Sequence, residues 1–337
     1  MSRDTEGRLG PSVTVMTQNL YFGAELAPIF IARSQEEMVA AAAVAWEQVQ
    51  ASEIAERAEK IAELIAAEAP DLVALQEAAQ WSAGKASAMT VKYDFLSSIL
   101  QALQSFGVFY VPVAISRNLD RMAPIDTEGR QVRITDRDAV LLKIGESAIQ
   151  VRPFNIQLEN FAALMPVTSP VMGAMMVPRG WIAIDAAIDE RKFRFINTHL
   201  ESYDAQVQIA QAAELIAGPC DTKLPLIIVG DFNSNANQKT DDAPANENAR
   251  AYGNLIASGL TDAWASMNPG DPGNTCCQPA DLMNDAAALS ERIDLILMRG
   301  RVTPISAKLV ANQPRSRTKT GRWASDHAGV LARVRIE

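Results

Sequence analysis

The chain has 337 residues, of which 48% are hydrophobic, and a formal net charge of -9. That size and composition support a large buried core, arranged as one big α/β domain or as two ordinary ones. The acidic balance argues against strong, sequence-independent nucleic-acid binding, which draws on Lys and Arg to neutralise phosphates, and no stretch is long and apolar enough to span a membrane.

Residues 1–12, MSRDTEGRLGPS, are polar and lack the apolar core of a signal peptide. We expect a flexible N-terminal segment there, followed by a single domain over 13–337. The expected protein is soluble, and cytoplasmic unless a secretory precursor was trimmed. VTVMTQNL opens with an alternating, β-branched run ending on Asn19. A long helical region follows from Gln35 to Ala69, interrupted near Ser52. Its second half places Ile54, Ala58, Ile61, Leu64 and Ile65 on one face and charges on the other, so it should pack on a sheet. Pro70 ends it. DLVALQEA then reads as a buried strand closing on Glu77.

Further strands are expected at GVFYVPVAI, AVLLKI, WIAIDAAI, KFRFINTHL, LPLIIVGDF, RIDLILM and AGVLARVRI, and helices at TVKYDFLSSILQAL, DAQVQIAQAAELIAG and ENARAYGNLIASG. Strands outnumber helices and many are joined by short turns, which suits a layered α/β sandwich better than a doubly wound parallel sheet. The soft stretches NSNANQKTDDAPANENA and MNPGDPGNTCCQPAD, rich in Asn, Asp, Gly and Pro, read as rim loops because apolar periodicity resumes after each. The segment containing Phe161, Leu164, Met165, Met172, Met175 and Met176 shows no period and reads as core filler beneath a loop, or else as an apolar lip beside a cleft.

The three cysteines do not form a disulfide framework. Cys276 and Cys277 are adjacent and are expected to be reduced, a vicinal bridge being strained; Cys220 stands alone. Arg315, Arg317, Lys319 and Arg322 make one basic run, either a solvated loop or a phosphate-steering patch.

Polar side chains gather where apolar runs stop: Asn19, Glu77, His199, Asp231, Asn233, Asp294 and the pair Asp326-His327. Each alone is explained by turn or cap chemistry. As a set they contain only Asn, Asp, Glu and both histidines of the chain, with no Ser or Cys nucleophile motif. Such a set matches the oxygen-ligand preference of Mg²⁺ or Mn²⁺, with imidazoles left to face a charged phosphoryl oxygen.

The order TQNL, LVALQEA, NTHLE, GDFNS, RIDLIL, SDHAGV resembles the endonuclease/exonuclease/phosphatase (deoxyribonuclease I-like) superfamily along essentially the whole chain. The resemblance implies a four-layered α/β/β/α sandwich, with two packed mixed sheets flanked by helices and a site at one end. It implies Glu77 as the principal metal carboxylate, with Asn19 beside it and Asp326 near the metal. Asp231 and Asn233 would hold and activate the water, and His327, fixed by Asp294, would meet the scissile phosphate. His199 would bond another phosphate oxygen. The cofactor would be Mg²⁺ or Mn²⁺, with Ca²⁺ a further candidate. Arg179 occupies a place where some relatives contact phosphate with an arginine; otherwise it is a turn residue. The tyrosine that DNA-cutting members place between the Glu and His motifs has no counterpart among the motifs, although Tyr93 and Tyr110 lie in that region. The expected activity is metal-dependent hydrolysis of a phosphodiester in a small-molecule or lipid-like substrate. A DNA or RNA nuclease is the alternative within that class, and a non-catalytic binding module is the alternative outside it.

Overall fold

The computed structural model describes residues 10–145, 150–238 and 247–337. Residues 1–9 of the expected flexible segment, and 239–246 of the first soft loop, lie outside the described residues. In chain order the elements are β1 (Ser12–Asn19), α1 (Ala27–Ile31), α2 (Gln35–Ala51), α3 (Ile54–Glu68), β2 (Leu72–Gln76), β3 (Gln80–Lys85), β4 (Thr90–Asp94), α4 (Phe95–Ser105), β5 (Phe109–Pro124), β6 (Arg130–Ile144), β7 (Val151–Asn160), β8 (Met165–Ser169), β9 (Gly173–Val177), β10 (Gly180–Ile188), β11 (Arg191–His199), α5 (Ala205–Ala217), β12 (Leu226–Asp231), α6 (Glu247–Ala257), β13 (Thr261–Asp262), α7 (Ala263–Met267), β14 (Asp294–Arg299), β15 (Val302–Val310) and β16 (Gly329–Ile336).

One sheet runs β15-β16-β1-β2-β6-β3-β4, with β5 on the other side of the long β6; the second runs β13-β14-β12-β11-β10-β7, and β8-β9 form a separate hairpin. Both large sheets are mixed: β1 pairs parallel with β2, and β11 parallel with β12, while their other neighbours are antiparallel. Two-residue alternation explains how the sheets stack. Val13 and Val15 of β1, Leu72 and Ala74 of β2, Phe193 and Phe195 of β11 and Ile227 and Val229 of β12 form one core between the sheets. The opposite face of the first sheet, Met16, Val73 and Leu75, is covered by α2, α3 and α4. The opposite face of the second, Ile196, Ile228 and Leu295, is covered by α5 and α6 through residues such as Leu215 and Leu255. The result is the expected α/β/β/α layering.

The break in the first helical region falls where the pattern placed it. Ser52 ends α2, Glu53 turns left-handed at φ 52°, and α3 buries Ile54, Ala58, Ile61 and Ile65. Ala69, at φ 45°, closes α3 one residue before Pro70. Three expectations need correction. Thr90–Asp94, read as the start of a helix, is the edge strand β4, and α4 begins only after Asp94 caps it by accepting from the Ser97 amide at 3.0 Å. Met165–Val177, read as aperiodic, is the β8-β9 hairpin. Its burial alternates, but apolar residues occupy the outer face as well, Met176 being 52% exposed. The Cys276-Cys277 pair, expected to be reduced, is a disulfide. Its turn is fixed from both sides, because the Cys276 amide donates to Glu291 and the Cys277 amide to Asp326; Cys277 takes a left-handed φ of 95° there. Among the described residues no helix is long and apolar enough to cross a membrane.

Candidate active site

The alternation that builds the inter-sheet core also builds the site, because at one end of the sandwich the inward-facing positions turn polar. Continuing Val13 and Val15 by twos gives Thr17 and Asn19. Continuing Phe193 and Phe195 gives Asn197 and His199, and continuing Ile227 and Val229 gives Asp231. Register then aligns them: His199 lies opposite Asp231, and Asp231 opposite Asp294, in one row across β11, β12 and β14. Gly230 makes the close approach possible, since a Cβ there would sit 1.9 Å from the Thr198 carbonyl oxygen and its φ is 147°. Asn19 crosses from the other sheet and donates through Nδ2 to Asp231 Oδ2 at 2.9 Å.

His327, in the turn before β16, faces this row. Its Nδ1 is 2.8 Å from Asp294 Oδ2, and its Nε2 lies 3.9 Å from both Asp231 and Asp326. Burial alone would lower the His327 pKa, but Asp294, Asp326 and Asp231 outweigh it and raise it well above the usual imidazole value. His327 is therefore a cationic donor. His199 is the opposite case, its pKa held well below the usual value by burial, the Arg179 guanidinium and His327. Arg179 Nη1 stands 3.1 Å from His199 Nδ1. A guanidinium can only donate, so Nδ1 accepts and the ring proton sits on Nε2, which faces Asp231 Oδ2 at 3.5 Å. Asp231, pushed up to about 6 by burial and by Asp294, also accepts from the Asn233 amide at 2.9 Å. Its value suits a group that takes a proton near neutrality.

Glu77 follows β2 with a left-handed φ of 56°, a cost of roughly 1–3 kcal/mol for a residue with a side chain. That backbone lets its carboxylate accept from the Phe22 amide at 3.0 Å. Burial, Asp326 and Asp136 push its pKa up to about 8; burial raises Asp326 too. A buried carboxylate whose charge its acidic neighbours disfavour in this way is a hard oxygen donor, which a divalent cation would relieve. Asp231, Asp294 and His327 also present ligand atoms within 4.8 Å of one another. Of those groups, Asp294 Oδ2 is engaged by the His327 ring and Asp231 Oδ2 by Asn19, while Asp294 Oδ1 is buried without a hydrogen-bond partner. Asn19 Oδ1 accepts from the Tyr21 amide at 2.9 Å, so the side chain that braces Asp231 is itself held by the chain beyond β1.

Asn233 takes φ 50° and donates through Nδ2 to the Leu200 carbonyl at 2.9 Å, which ties the turn after β12 to the residue beyond His199. Arg179 is 9% exposed and pairs with Asp136 at 3.6 Å, so it belongs to the site and is not a plain turn residue. Tyr93 and Tyr110 are elsewhere: Tyr93 stacks near Trp46, and Tyr110 donates to the Pro70 carbonyl. In the basic run, Lys319 pairs with Glu59, and Arg317 donates to the Gly321 carbonyl and pairs with Asp285. α2 packs into the core through Met38, Ala42 and Val49.

Several residues at the site carry no motif. Asp136 and Asp138 of β6 are buried beside Arg179 and His199, and Asn118 donates to Asp138 at 2.8 Å. The alternation Asp136, Asp138, Val140, Leu142 carried the signal, since it puts both carboxyls on the core face. Thr17, Gln76 and Asn197 form a hydrogen-bonded plug between the apolar core and the site. Arg57, fully buried in α3, donates to the carbonyls of Leu20, Tyr21 and Ser52, so it holds the chain just beyond Asn19 in place.

The sequence profile of the Endonuclease/Exonuclease/phosphatase family matches residues 16–327, and the chain belongs to that family. Comparison with curated protein sequences returns no match. Among solved structures, an endonuclease/exonuclease/phosphatase family protein from Bacteroides thetaiotaomicron superposes with TM-score 0.60 at 14% identity, covering 97% of this chain and 99% of that one. Danio rerio TDP2 complexed with single-strand DNA product gives TM-score 0.56 at 15% identity over 96% and 98%. The mannosyl-6-phosphatase of Bacteroides thetaiotaomicron VPI-5482 gives 0.57 at 15% over 96% and 99%. At these identities the likeness is one of fold. The chain is thus a member of a family of hydrolases acting on phosphoester bonds.

Proposed function

We propose that the protein is a metal-dependent phosphodiesterase that hydrolyses a small-molecule or lipid-like diester by in-line attack of water. The observation that carries this reading is the aligned row of His199, Asp231 and Asp294, closed by His327 on Asp294 and by Asn19 on Asp231. Asp231 takes the proton of the attacking water, while Asn19 and the Asn233 amide hold its carboxylate in place. His327 gives a charged hydrogen bond to a phosphoryl oxygen, and Asp294 keeps that ring cationic and oriented. His199, with its proton on Nε2, offers a second, neutral donor, and Arg179 brings fixed positive charge. Glu77 and Asp326 would hold the divalent cation, which when bound supplies positive charge to the phosphate. Negative charge that grows on phosphoryl oxygens in the transition state is thereby met by donors already in position.

The preference for a small or amphiphilic diester over duplex DNA rests on the net charge of -9 and on the apolar wall formed by Met165, Val167 and Val177 beside Arg179. The test is turnover of bis(p-nitrophenyl) phosphate, p-nitrophenyl phosphate, sphingomyelin and plasmid DNA by purified protein with Mg²⁺ or Mn²⁺. Cation-dependent hydrolysis of the diesters ahead of the monoester and the plasmid is expected. Efficient plasmid nicking that weakens as salt rises would favour a nuclease.

A further inference from the structure

Next to the catalytic row lies a cavity of about 220 Å³. Its walls come from two pieces of chain that contribute nothing to the catalytic row. Leu26, Phe30 and Ile31 stand in or beside α1, and Met165, Val167 and Val177 stand on the β8-β9 hairpin. Its polar end is formed by Arg179, Asp136 and Glu201. Each of these three is at most 9% exposed, and each leaves a buried atom without a hydrogen-bond partner: Arg179 Nε, Asp136 Oδ1 and Glu201 Oε2. Three charged side chains thus stand at one end of an otherwise apolar cavity, so its polar end decides which group on a ligand can enter.

We propose that this cavity is the specificity subsite for the organic substituent of the phosphoester, and that it takes an uncharged single ring or short branched alkyl group. The assignment rests on the phosphodiesterase reading of the adjacent row. An engineered apolar cavity of roughly 150 Å³ holds a benzene ring, so about 220 Å³ fits one ring with a small substituent and not an extended acyl chain. Arg179 links the two halves. Its Nη1 is turned to His199 in the catalytic row, and the same residue lines the cavity end, so the row and the cavity share one fixed positive charge. The Asp136 and Glu201 carboxyls favour a hydroxyl hydrogen on the substituent and repel an anionic group.

Isothermal titration calorimetry of the full chain with Mg²⁺ reads this directly, using methylphosphonate, phenylphosphonate and 4-carboxyphenylphosphonate as probes. Phenylphosphonate should bind at least about tenfold more tightly than methylphosphonate, since burying a ring's apolar surface is worth that much or more, and the carboxylated probe should lose the gain. Ala27→Trp, which fills the cavity, and Val167→Asp, which places a charge on its wall, should each erase the phenyl advantage while leaving methylphosphonate affinity unchanged. That unchanged affinity, with a native circular dichroism spectrum, certifies folding. Equal affinity for the methyl and phenyl probes in the wild type, or an advantage that survives both substitutions, overturns the subsite and leaves the phosphodiesterase reading intact. If neither probe binds, the phosphoester site itself is wrong and the subsite falls with it.

Discussion

Asp138 shows how one buried carboxyl couples stability to the site. Burial and the neighbouring Asp136 push it from 3.8 up to about 7, and it stands 4.0 Å from His199 Nδ1. Its folded value lies above its unfolded one, so the fold retains a proton that the unfolded chain releases. Stability therefore falls as pH rises from 3.8 through about 7. Asp138→Asn removes this dependence while keeping an acceptor for Asn118. Thermal melts should show the variant gaining on wild type at pH 8 and not at pH 4; an equal shift at both would contradict the raised value. Asp294→Asn makes a different prediction. The His327 ring loses the partner that keeps it charged, and turnover should fall on the order of a hundredfold or more, with circular dichroism unchanged. Near-normal turnover in that variant would remove the Asp294-His327 pair from the mechanism. The residues proposed to be catalytic stand out in the sequence because each ends an apolar run within a motif. Asp136, Asp138 and Asn118 were not, because they lie within long strands where nothing but strand parity marks them.

Elements, more than single residues, decide whether the motifs meet. Arg57 is the clearest case, because one guanidinium in α3 satisfies the carbonyls of Ser52, Leu20 and Tyr21 and stacks over Tyr21 and Phe95. Arg57→Met keeps the apolar stem but orphans those carbonyls. A loss of about 3 kcal/mol or more is expected by urea unfolding. A change under about 0.5 kcal/mol, the range of ordinary surface substitutions, would show that the carbonyls are not held by this residue. The sequence placed Arg57 near a helical apolar face without revealing its role, since a lone arginine in a charged helix usually points to water. The Cys276-Cys277 turn, expected to be reduced, instead supports the Asp326 carbonyl through the Cys277 and Gln278 amides. Denatured without reductant, the chain should take up a single alkyl group, at Cys220, and after reduction should be alkylated at all three cysteines. Full alkylation before reduction would contradict the bridge. The β8-β9 hairpin escaped the sequence reading because its exposed face carries Pro166, Ala174 and Met176. Apolar residues on both faces leave no apolar-polar alternation in the sequence, although burial itself alternates.

The two sheets bring the N-terminal motifs, Asn19 and Glu77, against the C-terminal ones, Asp231, Asp294 and His327, across an apolar layer closed by Thr17, Gln76 and Asn197. The layered fold was legible in the sequence from the strand count and the order of motifs. The cavity was not, since it requires α1 and the hairpin, far apart in sequence, to face each other. At this scale the account rests on Glu77 as the carboxylate on which cation-dependent turnover depends. The most direct test is bis(p-nitrophenyl) phosphate hydrolysis by wild type and Glu77→Gln across a Mg²⁺ titration after removal of bound metal with a chelator. Glutamine keeps the shape of the side chain and removes the charge that draws a hard cation. The account predicts that wild type is inactive without added cation and saturates as Mg²⁺ rises, while Glu77→Gln, equally folded, needs far more Mg²⁺ and turns over on the order of a hundredfold more slowly at limiting metal. Equal rates for the two proteins at limiting Mg²⁺, or full wild-type activity in the presence of the chelator, would contradict it.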